Sequence, residues 1–572
     1  MAEGERYTAA DAFTDALVRG GIEHIFLNSG TDYPALIETW AKYRDQGRGL
    51  PQILTCPHEN VAMSAAQGYA QLTGRPAGVF VHVDVGTLNI GGALANAFRG
   101  RIPVLVFAGM SPYTMEGELE GSRDNMIQFI QNVTDQGAIV REYVKHCVEL
   151  RSGANIQQAV YRALQLARTD VKGPVYLMAA REVLEQPGRD IGEVPVGWAP
   201  PAPLAVERGA LGRLIDALLS ANDPIVVTSS LGRQEESVGE LIRLCERLAV
   251  GVVEAPPSYM NFPGGHALHL GNDVPAALRR SDLVLVIDSD VPWLPALTKF
   301  PEGSRLFWID ADPVKDTIPL WNYPAEMFIR ADSLTALRQI NEALAARECD
   351  GEAVAARMGR WRERRAALRA LPDESAIPED RITPQRLLAA VGEIADEDTI
   401  ILNETITNTA LAESLLPRSR PGTRFHSEGS SLGWHGGAAI GAKLARPDRE
   451  VIALTGDGTY MFSCPSAVYW TARKYGTPFM TVVFDNGGWT APKIAVAGAH
   501  PDGYAARTQS FWAEFAPASR YELIAEAAGG AYAASAKTPD ELRRALREGR
   551  EAVKAGRCAV INAALCGSDD QP

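Results

Sequence analysis

The chain has 572 residues, 46% apolar and 22% charged, and its 56 basic against 70 acidic side chains leave a net charge of −14. That length predicts roughly three to four domains of ordinary soluble composition, and the acidic balance argues against a nucleic-acid or anionic-membrane surface. Seven cysteines without a CxxC pair indicate neither a disulfide framework nor a zinc site; with no apolar signal region and no apolar run near about 18 residues, a cytoplasmic protein is expected.

From residue 8 to 182, short apolar runs at 22–28, 52–56, 77–84, 103–109 and 174–179 alternate with helical patterns at 33–44, 60–72 and 156–168. Strands alternating with helices predict a parallel sheet covered on both faces. The proline-rich stretch 181–208 (Pro187, Pro195, Pro200, Pro201, Pro203) reads as a linker. A second unit has strand patterns at 224–229, 251–254, 283–288 and 305–310, with helices at 236–248 and 274–280 and a closing helix at 333–347. The charged stretch 352–370 reads as a solvated connector leading to Pro372 and Pro378. A third unit carries strands at 399–402, 450–454, 477–484 and 559–563 and helices at 385–394, 464–475 and 542–555, before a polar tail at 568–572. The fold class is therefore α/β, with three doubly wound parallel-sheet domains at 1–185, 205–350 and 376–566. The first and third units share a pattern that hints at an old duplication.

Two late stretches carry the chemistry. Thr455-Gly456-Asp457-Gly458-Thr459 and Asp485-Asn486-Gly487-Gly488-Trp489 each follow a strand. Glycines in such a turn free backbone N–H groups for an anion, and Asp457 and Asn486 offer oxygen at the ends of two parallel strands. Oxygen ligands with room for phosphate suit Mg²⁺ or Ca²⁺ rather than zinc, so the residues predict a metal-bridged diphosphate site. Far upstream, Glu59 stands where the second strand turns into a helix. It either complements the helix N-terminus or points over the sheet, where α/β proteins place ligand chemistry.

GDG, then 26 residues, then Asp485-Asn486 resembles the signature of thiamine-diphosphate (ThDP) enzymes, where two asparagines usually close the motif; here Asp485 replaces the first. His58-Glu59 ahead of a helix with Gly68-Tyr69-Ala70, and Gly86-Thr87-Leu88-Asn89 ahead of Pro103-Val104-Leu105, resemble the branch of acetolactate synthases, 2-hydroxyacyl-CoA lyases and benzaldehyde lyases. The resemblance implies pyrimidine-binding, middle and diphosphate-binding domains in that order. It implies that Asp457, Asn486 and the carbonyl of Gly488 hold Mg²⁺ against the cofactor's diphosphate, with Gly456, Gly458, Thr459 and Trp489 around them. Glu59 would be catalytic, bonding the aminopyrimidine so that thiamine's C2 proton can leave, and Leu432 would hold the cofactor bent. Thr407 and Asn408 would meet the diphosphate, ordinary helix capping being the alternative.

On the substrate side the resemblance points to Thr31, Asp32, His58 and Lys493. Asp32 could equally cap a helix, and Lys493 could be a solvated surface group or meet a carboxylate or a CoA phosphate. His82 and His435 also fall near the site. Residues 496–520 read as a lid or a surface insertion, and 229–233 as a phosphate contact or a plain loop. FAD or the ADP part of CoA in the middle domain is allowed by the resemblance, without a diagnostic signature. The implied reaction makes or breaks a carbon–carbon bond beside a carbonyl, forming a carbanion or enamine from a 2-keto acid or a 2-hydroxyacyl-CoA. The implied assembly is a homodimer or homotetramer in which Glu59 of one copy meets the cofactor held by another. The alternatives are a 2-hydroxyacyl-CoA lyase or synthase acting on formyl-CoA and a carbonyl, and a non-catalytic assembly protein on the same scaffold.

Overall fold

Three parallel sheets organise the computed structural model, which describes residues 6–367, 374–375, 377–517 and 519–566. The first contains β1 (His24–Leu27), β2 (Gln52–Thr55), β3 (Ala77–Val81), β4 (Val104–Met110), β5 (His146–Leu150) and β6 (Val175–Ala180), in the order β2-β1-β3-β4-β6-β5. The second contains β7 (Pro224–Thr228), β8 (Gly251–Glu254), β9 (Leu283–Ile287), β10 (Arg305–Asp310) and β11 (Met327–Arg330), ordered β11-β10-β9-β7-β8. The third contains β12 (Ile400–Glu404), β13 (Arg424–Phe425), β14 (Val451–Gly456), β15 (Met480–Asp485), β16 (Tyr532–Ala536) and β17 (Ala559–Ala564), ordered β13-β12-β14-β15-β17-β16. First and third sheets thus repeat one strand order. The polar tail 568–572, Pro372 and residues 1–5 lie outside the described residues.

Helix Glu59–Thr73 leaves β2 at Cys56-Pro57. Its N-cap is His58, whose Nδ1 accepts the Asn60 N–H at 3.1 Å, and it stops at Gly74 in the left-handed conformation. It packs along helix Trp434–Ala445, which follows β13 as Glu59–Thr73 follows β2. A Cβ on Gly437 would meet the Ser64 side chain at 2.6 Å; one on Gly441 would meet the Ala65 carbonyl at 2.1 Å; one on Gly68 would meet the Ala438 carbonyl at 2.5 Å. The helices therefore run parallel, backbone against backbone, and join the first and third units in one continuous core that includes Val61, Tyr69, Trp434 and Tyr460.

The middle unit is tied to the third by buried Arg424, which donates to Glu254 at 2.7 Å and Glu413 at 2.5 Å. Burial works against the Glu254 charge, but Arg424 and His269 outweigh it and hold its pKa at about 2. Helix Gly351–Ala367 is not the solvated connector that its charge suggests. Its Trp361 is fully buried in the middle core, donating Nε1–H to the Ala249 carbonyl at 2.8 Å, and Arg357 donates to the Leu248 carbonyl. One apolar face hidden among charged residues was enough to anchor it.

Gly441→Ala should lower stability by about 1–3 kcal/mol through overpacking, read as a fall in unfolding temperature. Gly239→Ala, in open space on helix Glu235–Leu248, should instead raise stability by roughly 0.5–1 kcal/mol. Equal effects would contradict the close crossing.

Candidate functional site

In the third sheet the chain reverses direction between β12 and β14, the place where open α/β sheets bind ligands. Gly456 ends β14 and Asp457 opens the short helix Asp457–Phe462. Asp457 is 2% exposed; its Oδ1 accepts the Gly458 N–H at 2.7 Å and its Oδ2 the Gly488 N–H at 2.8 Å. Burial and then the neighbouring Asp485 charge outweigh the downward pull of those N–H groups and bring its pKa up to about 6. Asn486 donates to Thr490 Oγ1 at 2.9 Å, while its Oδ1 is buried with no partner. Glycine is required at 458, where a Cβ would meet Trp489 Nε1 at 2.3 Å, and at 488, where φ is +147° and a Cβ would meet the Ala513 carbonyl at 2.1 Å. Trp489 packs edge-on to Phe515, and Trp489 N–H to Ala513 and Phe515 N–H to Gly487 pin 513–515 against the turn.

An oxygen-liking cation fits this set, with a buried carboxylate, an amide oxygen lacking a partner and the Gly488 carbonyl close by. No cluster of three His, Cys, Asp or Glu side chains suited to a metal occurs among the described residues. Between the pinned turn and 513–515 run helices Thr490–Ala499 and Tyr504–Thr508, neither with a buried residue. Lys493 there is paired with Glu514 at 3.1 Å.

The first sheet presents the other group. Glu59 is 8% exposed; its Oε2 accepts from Asn89 Nδ2 at 3.1 Å and its Oε1 lies against Gly86. His58 Nδ1 is 3.9 Å from Glu59, beyond hydrogen-bond reach. Asp32 does not cap a helix: the N-cap of Pro34–Asp45 is Tyr33, without a side-chain bond. Asp32 instead crosses to the end of β3 and holds His82 Nδ1 at 2.5 Å, while His82 Nε2 meets Gln131 Oε1 at 3.0 Å. Both ring nitrogens thus face acceptors, which favours the imidazolium. Burial lowers the His82 pKa, but the bond and charge of Asp32 outweigh it and the net shift is upward. Thr31 lies exposed beside Asp32 on the same turn.

Leu432 sits in a loop held by Asn96, which donates to the Ser431 carbonyl at 2.8 Å and accepts the Ser431 N–H at 3.0 Å. Glu404, at the end of β12, accepts the N–H groups of Trp434 and His435 and the His435 ring at 2.9 Å. Thr407 and Asn408 form a short 3₁₀ turn, and Asn408 makes no capping bond. Sequence reasoning passed over Asn96, Glu404 and Gln131 as contributors; the one signal for Glu404 was an acidic residue closing an apolar strand. Among the described residues, the hydrogen-bond partners of Glu59 and Asp457 do not overlap: Glu59 accepts from Asn89, and Asp457 from Gly458 and Gly488.

A cavity of about 200 Å³ lies where the three units meet, lined by Arg99, Arg101, Arg233, Asp288, Asp290 and Glu428 among others. Arg101 is already taken by Asp310 at 2.6 Å and Asp290 at 3.1 Å. Burial and then the Asp310 charge push Asp288 up to about 6. Arg233 there lies 3.7 Å from Glu428, and Arg99 donates to Thr317.

Two family models match: the N-terminal TPP binding domain of thiamine pyrophosphate enzymes over residues 7–139 and the C-terminal TPP binding domain over 406–563. The chain is 25% identical over 512 residues to a benzoylformate decarboxylase of Pseudomonas aeruginosa, covering 85% of this chain and 87% of that protein. It is 24% identical over 590 aligned positions to a sulfoacetaldehyde acetyltransferase of Rhodobacter capsulatus, covering 98% and 94%. Its fold resembles the solved ThDP-dependent 4-hydroxybenzoylformate decarboxylase of Rhodococcus jostii RHA1, with a TM-score of 0.78 at 22% identity over 98% of this chain and 100% of that one. The chain belongs to the thiamine-diphosphate-dependent enzymes.

Asp32→Asn should lower the His82 titration midpoint, followed by imidazole NMR. Because the folded His82 pKa is raised, the pair's stabilisation is complete below the unfolded value near 6.5 and is lost as pH rises through the folded value. The stability gap between parent and variant should therefore close on the alkaline side; a gap independent of pH would contradict the pairing.

Proposed function

We propose that this enzyme uses ThDP and Mg²⁺ to break or form a carbon–carbon bond beside a carbonyl, decarboxylating a 2-keto acid and releasing or transferring the product. The observation that carries this is a buried glutamate at one sheet end together with an acid–amide pair of unmet oxygen capacity at another. When bound, ThDP supplies an electron sink next to the reacting carbonyl carbon. Asp457, Asn486 and the Gly488 carbonyl would hold the metal, with Gly456, Gly458, Thr459, Thr407 and Asn408 facing the diphosphate. Leu432, fixed by Asn96 and Glu404, would support the cofactor's bend. Glu59 would hold and return a proton at the aminopyrimidine nitrogen, its free Oε1 turned towards Gly86 and its Oε2 fixed by Asn89.

His82 would offer positive charge to a substrate carboxylate, with Thr31 and His58 beside it; Nε2 reaches substrate only by exchanging Gln131. Lys493, paired with Glu514 at 3.1 Å, is engaged within the protein rather than held out for a CoA phosphate, which favours a 2-keto acid over an acyl-CoA. The relatives named as decarboxylases support the same choice.

The working unit in this reading is a homodimer or a homotetramer built from such dimers, Glu59 of one copy facing Asp457 of another. Support comes from the disjoint hydrogen-bond partners of the two groups and from apolar side chains left open near them: Leu88 60% exposed, Met126 78% and Phe462 51%. A second copy would cover them. No helix among the described residues is long and apolar enough to cross a membrane, and none of the seven cysteines is in a disulfide, as a reducing cytoplasm would keep them.

Glu59→Gln should retain ThDP but lose about 10²–10⁴-fold in turnover, assayed by CO₂ release from pyruvate, benzoylformate and 2-ketoarginine. Turnover surviving that change would remove Glu59 from the chemistry.

A further inference from the structure

We propose that Asp485 tightens the divalent-cation site formed by Asp457 and Asn486, acting by its charge and without touching the ion. This rests on the metal-site reading above and deepens it.

Asp485 ends β15, one residue before Asn486. Its Oδ1 accepts the Gly487 N–H at 3.3 Å, and its Oδ2 is turned towards the sheet, accepting from Asn562 Nδ2 of β17 at 3.1 Å. Both oxygens are therefore committed to the protein. Asp485 nevertheless adjoins Asp457 through the turn: Gly487, whose N–H Asp485 accepts, precedes Gly488, whose N–H Asp457 Oδ2 accepts at 2.8 Å. Among the described residues, no Lys, Arg or His pairs with either. Glu522, fully buried, is a third carboxylate near Asp485, but its charge is met by Arg520 at 2.5 Å. Buried like charges without a counter-charge are costly, and a divalent ion beside Asp457 would relieve the pair Asp457 and Asp485.

Hydrogen bonding alone does not call for a carboxylate here. Asn562 Oδ1 is buried with no partner, so an asparagine at 485 could donate to it and still accept from Gly487. An asparagine is what the resemblance would place there. What the aspartate adds is charge, next to a cation and in a medium where charges at such range count for more than in water.

The test is Mn²⁺ binding at saturating ThDP, followed by the loss of the free-ion EPR signal, in the parent, Asp485→Asn and Asn562→Ala, with circular dichroism to confirm folding. Asp485→Asn should bind Mn²⁺ about 10-fold more weakly, and Asn562→Ala, which keeps the charge, should stay within about 3-fold of the parent. Raising the salt concentration should narrow the gap between parent and Asp485→Asn. Equal affinity in Asp485→Asn and parent would overturn the inference and leave the metal site standing. Equal weakening in both variants would also overturn it, since a structural bond would then be responsible. A parent that binds no Mn²⁺ with ThDP would overturn the metal-site reading and this inference together.

Discussion

The close crossing of helices Glu59–Thr73 and Trp434–Ala445 is the constraint from which the rest of the site follows. Gly68, Gly437 and Gly441 let two backbones touch, and this contact seals the first and third sheets into one core. Because the helices run parallel, the N-terminus bearing Glu59 and the N-terminus preceded by Leu432 lie at the same end of the pair. Glu404 and Asn96 then fix the Leu432 loop from two sides, one from each unit. Any side chain larger than glycine at the crossing would push the two halves apart and misplace both N-termini.

The two sheets that flank this crossing share one strand order, which gives the suspected duplication a structural basis. Corresponding positions carry different chemistry. After β3 the chain presents His82-Val83-Asp84, and after β14 it presents Gly456-Asp457-Gly458. The first sheet closes its turn with an ion pair between Asp32 and His82, so its charge is internally matched. The third closes its turn with Asp457 and Asp485, neither paired with a Lys, Arg or His among the described residues. One strand order thus carries a charge-matched turn in one unit and an unmatched one in the other.

The central strands were legible in the sequence because burial on both faces writes a continuous apolar run. The four strands that sequence reading missed, β5, β11, β13 and β16, all stand at sheet edges; three of them are partly exposed, and β13 has only two residues. Helix Gly351–Ala367 was misread for a related reason, since Trp361 and Arg357 bury one face of a stretch that is otherwise charged. Asp457 and Asn486 stand at the ends of adjacent strands β14 and β15, as the strand–turn–helix–strand pattern led one to expect, although a GDG by itself is more often just a tight turn. What no local pattern could show was pairing across the fold: Asp32 with His82, 50 residues on, and Asp485 with Asn562, 77 residues on.

The claim on which the account turns is that Glu59 of one copy and Asp457 of another act on a single cofactor. Mixing Glu59→Gln with Asp457→Asn after dissociation and reassociation tests it directly, since each variant alone leaves every shared site defective. In randomly paired dimers, half are mixed and each mixed dimer holds one intact site, so about a quarter of the parent turnover should return. If no turnover returns although mixed dimers form, both groups belong to one chain's site and the account is wrong.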